Sequence, residues 1–352
     1  MTTNAQSSST LTRLKVKNID SLRLETRDIQ LTYRPDIDGL RAIAILLVLA
    51  FHAFPSLCPS GFVGVDVFFV ISGFLITQIL IKVDPNDKSA LLTFYSRRVR
   101  RIFPALIMVL LSVSVYGYFA LLPNDFSLLI KYVAAGSSFI SNIVAWQNSG
   151  YFNKSTELAP LVHLWSLAIE EQFYIFWPVV FLGLRNRLPF NYLKHCIAIL
   201  LLLSLSLCLV VTYKDQTQAY YSPFVRAWEL LAGAWLAHRS LDSGKLFPTG
   251  RVKALFITIF AVASLVGSSF YIDKATFPGV WALMPISAAV LIVAYAQISW
   301  VGRFLSMPMM VYIGRISYPL YLWHWPLLAY LRIENPNPYW LGKLSALAIS
   351  FS

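Results

Sequence analysis

"DGLRAIAILLVLAFHAF", residues 38–54, is apolar enough to lie in a membrane, yet it carries Arg41 near one end and His52 deep inside. A charged side chain at the bilayer centre costs at least ~2.5–3.5 kcal/mol, so ionisable groups kept there point to function. Eleven residues at ~100° each make three turns plus ~20°, which puts both side chains on one helix face, ~16 Å apart along the axis. That face is a polar track.

The rest of the chain fits a helix of this kind. Of 352 residues, 57% are hydrophobic and 13% charged, and the mean hydropathy is +0.62. Soluble domains carry roughly 25% charge, so the composition indicates an all-α polytopic membrane protein with one membrane domain, 34–352, behind a polar tail, 1–33. The net charge of +12 sits mainly in the tail and between apolar segments. That placement follows the positive-inside rule and argues against nucleic-acid binding. Cys58, Cys196 and Cys208 have no metal-ligand spacing, and no metal site is expected. The tail has no apolar stretch before a small-residue cleavage site, so the first helix is expected to serve as the insertion signal.

Apolar candidates for spans are 40–57, 62–82, 102–122, 128–147, 161–184, 195–213, 223–238, 254–271, 278–297, 308–331 and 339–352. Arg13, Lys15, Lys17, Arg23, Arg27 and Arg34 place the N-terminus in the cytoplasm. The basic loops before 102, at 185–194 and at 239–253 all fall inside if 128–147 does not cross. That segment holds Lys131, Asn142, Trp146 and Gln147, and it reads as re-entrant or interfacial. About ten crossings follow. The last segment has fourteen residues where a span needs ~20, so the chain is expected to stop within a helix.

Five further stretches carry chemistry. In "FVGVDVFFVISGFLI" (62–76), Asp66 lies among aromatics near a helix start, and Gly61, Gly64 and Gly73 allow close helix approach. "YSRRVRRIFPAL" (95–106) packs Arg97, Arg98, Arg100 and Arg101 before Pro104, read as a loop leading into a helix. Such a cluster anchors topology, binds lipid headgroups or holds phosphate, to which arginine bonds bidentately. "LVHLWSLAIEEQFYIFWP" (161–178) sets His163, Glu170 and Tyr174 on one face, with Glu171 turned ~100° away. "SPFVRAWELLAG" (222–233) spaces Arg226 and Glu229 as an intrahelical ion pair. "IGRISYPLYLWHWPLL" (313–328) stacks Gly314, Ser317, Tyr321 and His324 on one face, with Pro319 and Pro326 as kinks.

Taken in order, these motifs resemble the membrane acyltransferase-3 family of the O-antigen acetylase type, from about residue 33 to the end. Arg41 and His52 match the family's first-helix motif. Arg97, Arg98 and Arg101 match its cytoplasmic arginine motif, and Glu170, followed by Gln172 and Tyr174, matches its glutamate motif. The resemblance implies a multi-pass enzyme of the bacterial inner membrane. Such an enzyme moves an acyl group, usually acetyl from acetyl-CoA as donor substrate with no permanently bound cofactor, onto an extracytoplasmic glycan such as O-antigen. It implies catalytic roles for Arg41, His52 and Glu170 and acyl-CoA binding by Arg97, Arg98 and Arg101. Asp66, His163, Gln172, Tyr174, Arg226, Glu229, Ser317, Tyr321 and His324 are expected as supporting polar groups. Many members continue into a periplasmic SGNH-hydrolase-like domain, so a separate SGNH-type acyltransferase is an expected partner, besides membrane lipid. The competing class is a secondary transporter, whose proton relays also need intramembrane polar tracks. It leaves the dense arginines unexplained.

Overall fold

The computed structural model describes residues 33–84, 87–149, 159–242 and 250–351. Residues 35–352 form one compact unit. Its first helix, α1 (Pro35–Ala53), starts on a proline. Proline suits a first helical position because its missing N–H has no intrahelical partner there. Pro55 follows the last turn and helps to end it. The near-continuous apolar run after it forms α2 (Gly64–Lys82), entered by a short 3-10 turn at Gly61–Val63.

The third helix corrects a reading from sequence. α3 (Lys88–Ala120) spans 33 residues and carries all four arginines on helical backbone rather than on a loop. Asp87 starts it by accepting a hydrogen bond from the Ser89 backbone N–H at 2.8 Å, and the Ser89 bonds hold its carboxyl below the usual range. Pro104 lies inside the helix and does not begin it. The missing N–H leaves the Arg100 carbonyl without its helical donor, and the turns on either side carry the helix through.

The polar segment 128–147 divides into α4 (Pro123–Ser137) and α5 (Ser141–Asn148). Phe139, between them, has a φ of 55°. A bulky residue is strained in this left-handed region, so neighbouring contacts must hold it. At ~1.5 Å per residue neither piece reaches across ~30 Å of hydrocarbon. The chain continues through α6 (Leu164–Arg187), α7 (Phe190–Lys214), the short α8 (Gln216–Tyr221), α9 (Pro223–Asp242), α10 (Arg251–Tyr271) and α11 (Leu283–Tyr295). After the short α12 (Trp300–Leu305), the expected single span 308–331 is two helices, α13 (Pro308–Arg315) and α14 (Ser317–Glu334). Pro319 explains the break. Its absent N–H and its ring disfavour continuation from the preceding turn but are tolerated in the first turn of a new helix. α15 (Trp340–Ser350) follows.

Among the described residues, six helices are long and apolar enough to cross a membrane: Gly61–Lys82, Ser89–Ala120, Leu164–Arg187, Phe190–Lys214, Arg251–Tyr271 and Val280–Ile298. α1 and α9 are not among them. The first carries Asp36, Asp38 and Arg41, and the second Arg226, Glu229 and Arg239. Both are instead wrapped by protein. α2 packs on α1, α6, α9 and α11, and α1 packs also on α12, α13 and α14. The α2–α9 crossing is closest where Gly73 meets the Leu230 carbonyl and Gly233 meets Val70, with no room for a Cβ on either side. Small residues at such crossings let backbones approach, which is how helices associate where lipid removes the hydrophobic drive.

Candidate active site

Five helices converge on a cavity of about 860 Å³, counting its open mouth. α1 contributes Arg41, α2 Ser72, and α3 Arg98 and Arg101. α6 adds Ser166, Glu170, Glu171 and Tyr174, and α14 adds Ser317, Tyr318 and Tyr321. Arg98 and Arg101 reach the same wall because they stand one helical turn apart. Arg97 and Arg100 point elsewhere and are exposed. Of the three arginines expected to bind a donor, the structure therefore brings two together with Arg41.

Arg41, Arg98 and Glu170 are each held by neighbours. The Arg41 Nη2 donates to Ser317 Oγ at 3.0 Å, and its Nη1 stands 3.7 Å from Asp38 Oδ1. Arg98 lies over the Tyr174 ring at 5.0 Å and the Phe94 ring at 5.6 Å. Glu170 accepts hydrogen bonds from both the Ser72 and Tyr174 hydroxyls, which fixes its carboxylate. Three guanidinium groups face two carboxylates, so the wall favours an anionic ligand.

Glu171 corrects the sequence reading, which excluded it from the Glu170 face. It is buried and lines the same cavity. The cavity wraps around α6 widely enough that residues ~100° apart both reach it.

His52 is not on this wall, in keeping with its distance along α1 from Arg41. A second polar group surrounds it. The Tyr321 hydroxyl, at the cavity wall, donates to the His163 carbonyl at 2.7 Å and lies 2.6 Å from Ser166 Oγ. Its ring centroid is 5.4 Å from those of both His163 and His324. His324 Nε2 is 3.0 Å from His52 Nδ1. His52 lies against Trp325 at 4.7 Å and Phe51 at 4.9 Å, and Arg332 donates to its backbone carbonyl. That carbonyl ends α1 and would otherwise lack a donor. The polar track thus runs from Arg41 through Ser317 and Tyr321 to His324 and His52, across two helices rather than along one. The His52–His324 contact joins positions 272 residues apart, and no local spacing announces it.

Four expected supporting groups lie off this route. Arg226 is bonded to Asp66 at 2.7 Å and paired with Glu229 at 3.0 Å, all three fully buried. Phe69, Trp165, Tyr220 and Phe277 lie around its guanidinium at 5.3–6.0 Å. The expected intrahelical pair is present, and Asp66 joins it from another helix. Gln172 donates to the Phe139 carbonyl at 2.8 Å and to Asn142 Oδ1 at 3.0 Å. It ties down the α4–α5 break and is absent from the cavity wall.

The described residues thus form a mostly helical chain with several helices long and apolar enough to cross a membrane, and an arginine- and carboxylate-lined cavity beside a group of histidines. The sequence matches the family described as an acyltransferase domain over residues 34–351, and the chain belongs to that family. It is similar to the peptidoglycan O-acetyltransferase OatA of Listeria monocytogenes, 33% identical over 322 residues, covering 87% of this chain and 51% of that one. The O-acetyltransferase OatA of Staphylococcus aureus is 33% identical over 318 residues, covering 85% of this chain and 51% of the relative. The chain thus spans about half the length of these relatives. No solved structure matches it.

Proposed function

We propose that this chain is the membrane part of an O-acetyltransferase that takes acetyl from cytoplasmic acetyl-CoA towards a cell-surface glycan. The observation carrying this reading is the join between two sites. An arginine-lined cavity suited to CoA phosphates leads through Tyr321 to a paired histidine. In the reaction the acceptor oxygen attacks the thioester carbonyl, the acyl C–S bond breaks, and CoA leaves as the thiol. His52 takes the hydroxyl proton, which passes to the departing sulfur. Arg41, Arg98 and Arg101 hold the donor's phosphates and pantetheine arm, with charge-assisted bonds of the kind arginine makes best. Glu170, fixed by Ser72 and Tyr174, orients the groups around the thioester. Arg97, exposed on α3, meets the donor only outside the cavity.

The arginine end faces the cytoplasm in this reading, with the N-terminal tail on the same side, about ten crossings and the bacterial inner membrane as the location. The acceptor is a surface polysaccharide, and the name of one relative supports peptidoglycan. Where the attacking hydroxyl belongs to a carrier and not to the glycan itself, an SGNH-type acyltransferase passes the acetyl on to the glycan on the outer side. His52→Ala should leave protein level and insertion intact and abolish acetate transfer from labelled acetyl-CoA to the cell-surface glycan. Near-normal transfer would remove His52 from the mechanism. A transporter would show uptake without CoA-dependent labelling.

A further inference from the structure

The hydrogen bonds around His324 determine which nitrogen of His52 carries the proton. His324 Nδ1 is 2.7 Å from the Tyr321 carbonyl oxygen and 3.2 Å from that of Leu320. Carbonyl oxygens only accept, so His324 Nδ1 bears the hydrogen. His324 is fully buried, and no carboxylate pairs with it among the described residues. A second proton would place an unpaired charge in an apolar interior, so the ring is neutral and its Nε2 is a lone pair. That lone pair faces His52 Nδ1 at 3.0 Å. Two lone pairs would repel there, and His52 Nδ1 must therefore be the donor. The bare nitrogen of His52 is then Nε2.

We propose that His324 is a positioning residue that locks His52 in its Nδ1–H tautomer and so presents Nε2 as the base. The proposal rests on the transferase reading above for its chemical use. When the acceptor hydroxyl gives its proton to Nε2, its oxygen forms the new bond to the acyl carbon. The resulting imidazolium keeps its Nδ1–H on the His324 lone pair, and the proton then leaves from Nε2 to the thiolate of CoA. A neutral histidine here does the orienting that a carboxylate does in other base pairs. It adds no second charge inside the protein. The two carbonyls of α14 act one step further back, because they fix the histidine that fixes His52. His163, whose ring centroid is 5.6 Å from that of His324, closes the other side by packing.

The tautomer can be read without turnover. Full-length protein labelled with 15N-histidine and reconstituted in lipid should show His52 protonated at Nδ1, its signals identified by their loss in His52→Gln. In His324→Phe, which keeps a ring and removes the acceptor, His52 should revert to the Nε2–H form that free imidazole prefers. His324→Gln, whose amide oxygen can take the place of Nε2, should retain the Nδ1–H form. In turnover, His324→Phe should lower kcat at least about a hundredfold, the scale of a misheld base, with KM for acetyl-CoA within about twofold. His324→Gln should recover most of that loss. His52 found as Nε2–H in the native protein, or an unaltered tautomer in His324→Phe, would overturn the proposal. A chain that transfers no acetyl yet shows the tautomer switch would sink the transferase reading and leave His324's hold on His52 standing.

Discussion

Arg226 and Arg41 both sit on helices wrapped by other helices, and their surroundings could hardly differ more. Arg226 is 1% exposed, bonded to Asp66, paired with Glu229 and covered by four aromatic rings. Arg41 has a serine hydroxyl, an aspartate at 3.7 Å and a cavity in front of it. The first charge is consumed by its neighbours. The second is held in place with bonding capacity to spare. An expensive group in a membrane therefore signals function only when its partners leave it something to bind.

The comparison breaks first, and most severely, at Arg226. Arg226→Ala should strand two carboxylates in the interior and destabilise the protein by about 3–5 kcal/mol. The level of protein in purified membranes should collapse accordingly. Replacing all three together, Arg226→Met with Asp66→Leu and Glu229→Leu, should recover much of the level, because apolar groups of similar volume often replace a buried ion cluster at little cost. Normal accumulation of Arg226→Ala would place Arg226 with Arg41 instead.

At Arg41 the pattern should invert. Arg41→Lys should accumulate normally but lose at least about tenfold in acetyl transfer, since lysine offers a point charge in place of a planar fork. Equal loss of level and activity would erase the contrast. Arg98→Gln with Arg101→Gln should weaken CoA binding by about tenfold at low salt, and less as salt screens the phosphates. Arg97→Gln is the comparison from the same helix and should weaken affinity far less. The smallest effect is expected at Glu171. Glu171→Gln removes an ionisable carboxyl group from the wall and should tighten CoA binding by at most about two- to fivefold, measured by calorimetry.

The groups readable from sequence were those whose relation is local. Arg226 and Glu229 share a turn of one helix, and so do Glu170 and Tyr174, and each pair meets in the structure. Asp66 was readable as a group in need of a partner, but its partner lies 160 positions away. The His52–His324 contact was hidden for the same reason. Two errors came from treating helix rules as absolute. Pro104 reads as a boundary, although α3 tolerates it, and Glu171 reads as turned away from Glu170 by ~100°, an angle that a wide cavity spans. The expected span 308–331 hid its break because apolar residues flank it on both sides and Arg315 is the one charged residue in the span.

That break has an electrical consequence. α14 begins at Ser317, and Ser317 and Tyr318 both line the cavity. The aligned peptide dipoles of an 18-residue helix amount to roughly half a positive charge at its first turn. An unbroken helix would have spread those dipoles past the wall and left this point neutral. By stopping and restarting here, the chain sets the negative end of one helix dipole and the positive end of the next side by side near Arg41, fractional charges that no change of pH can remove.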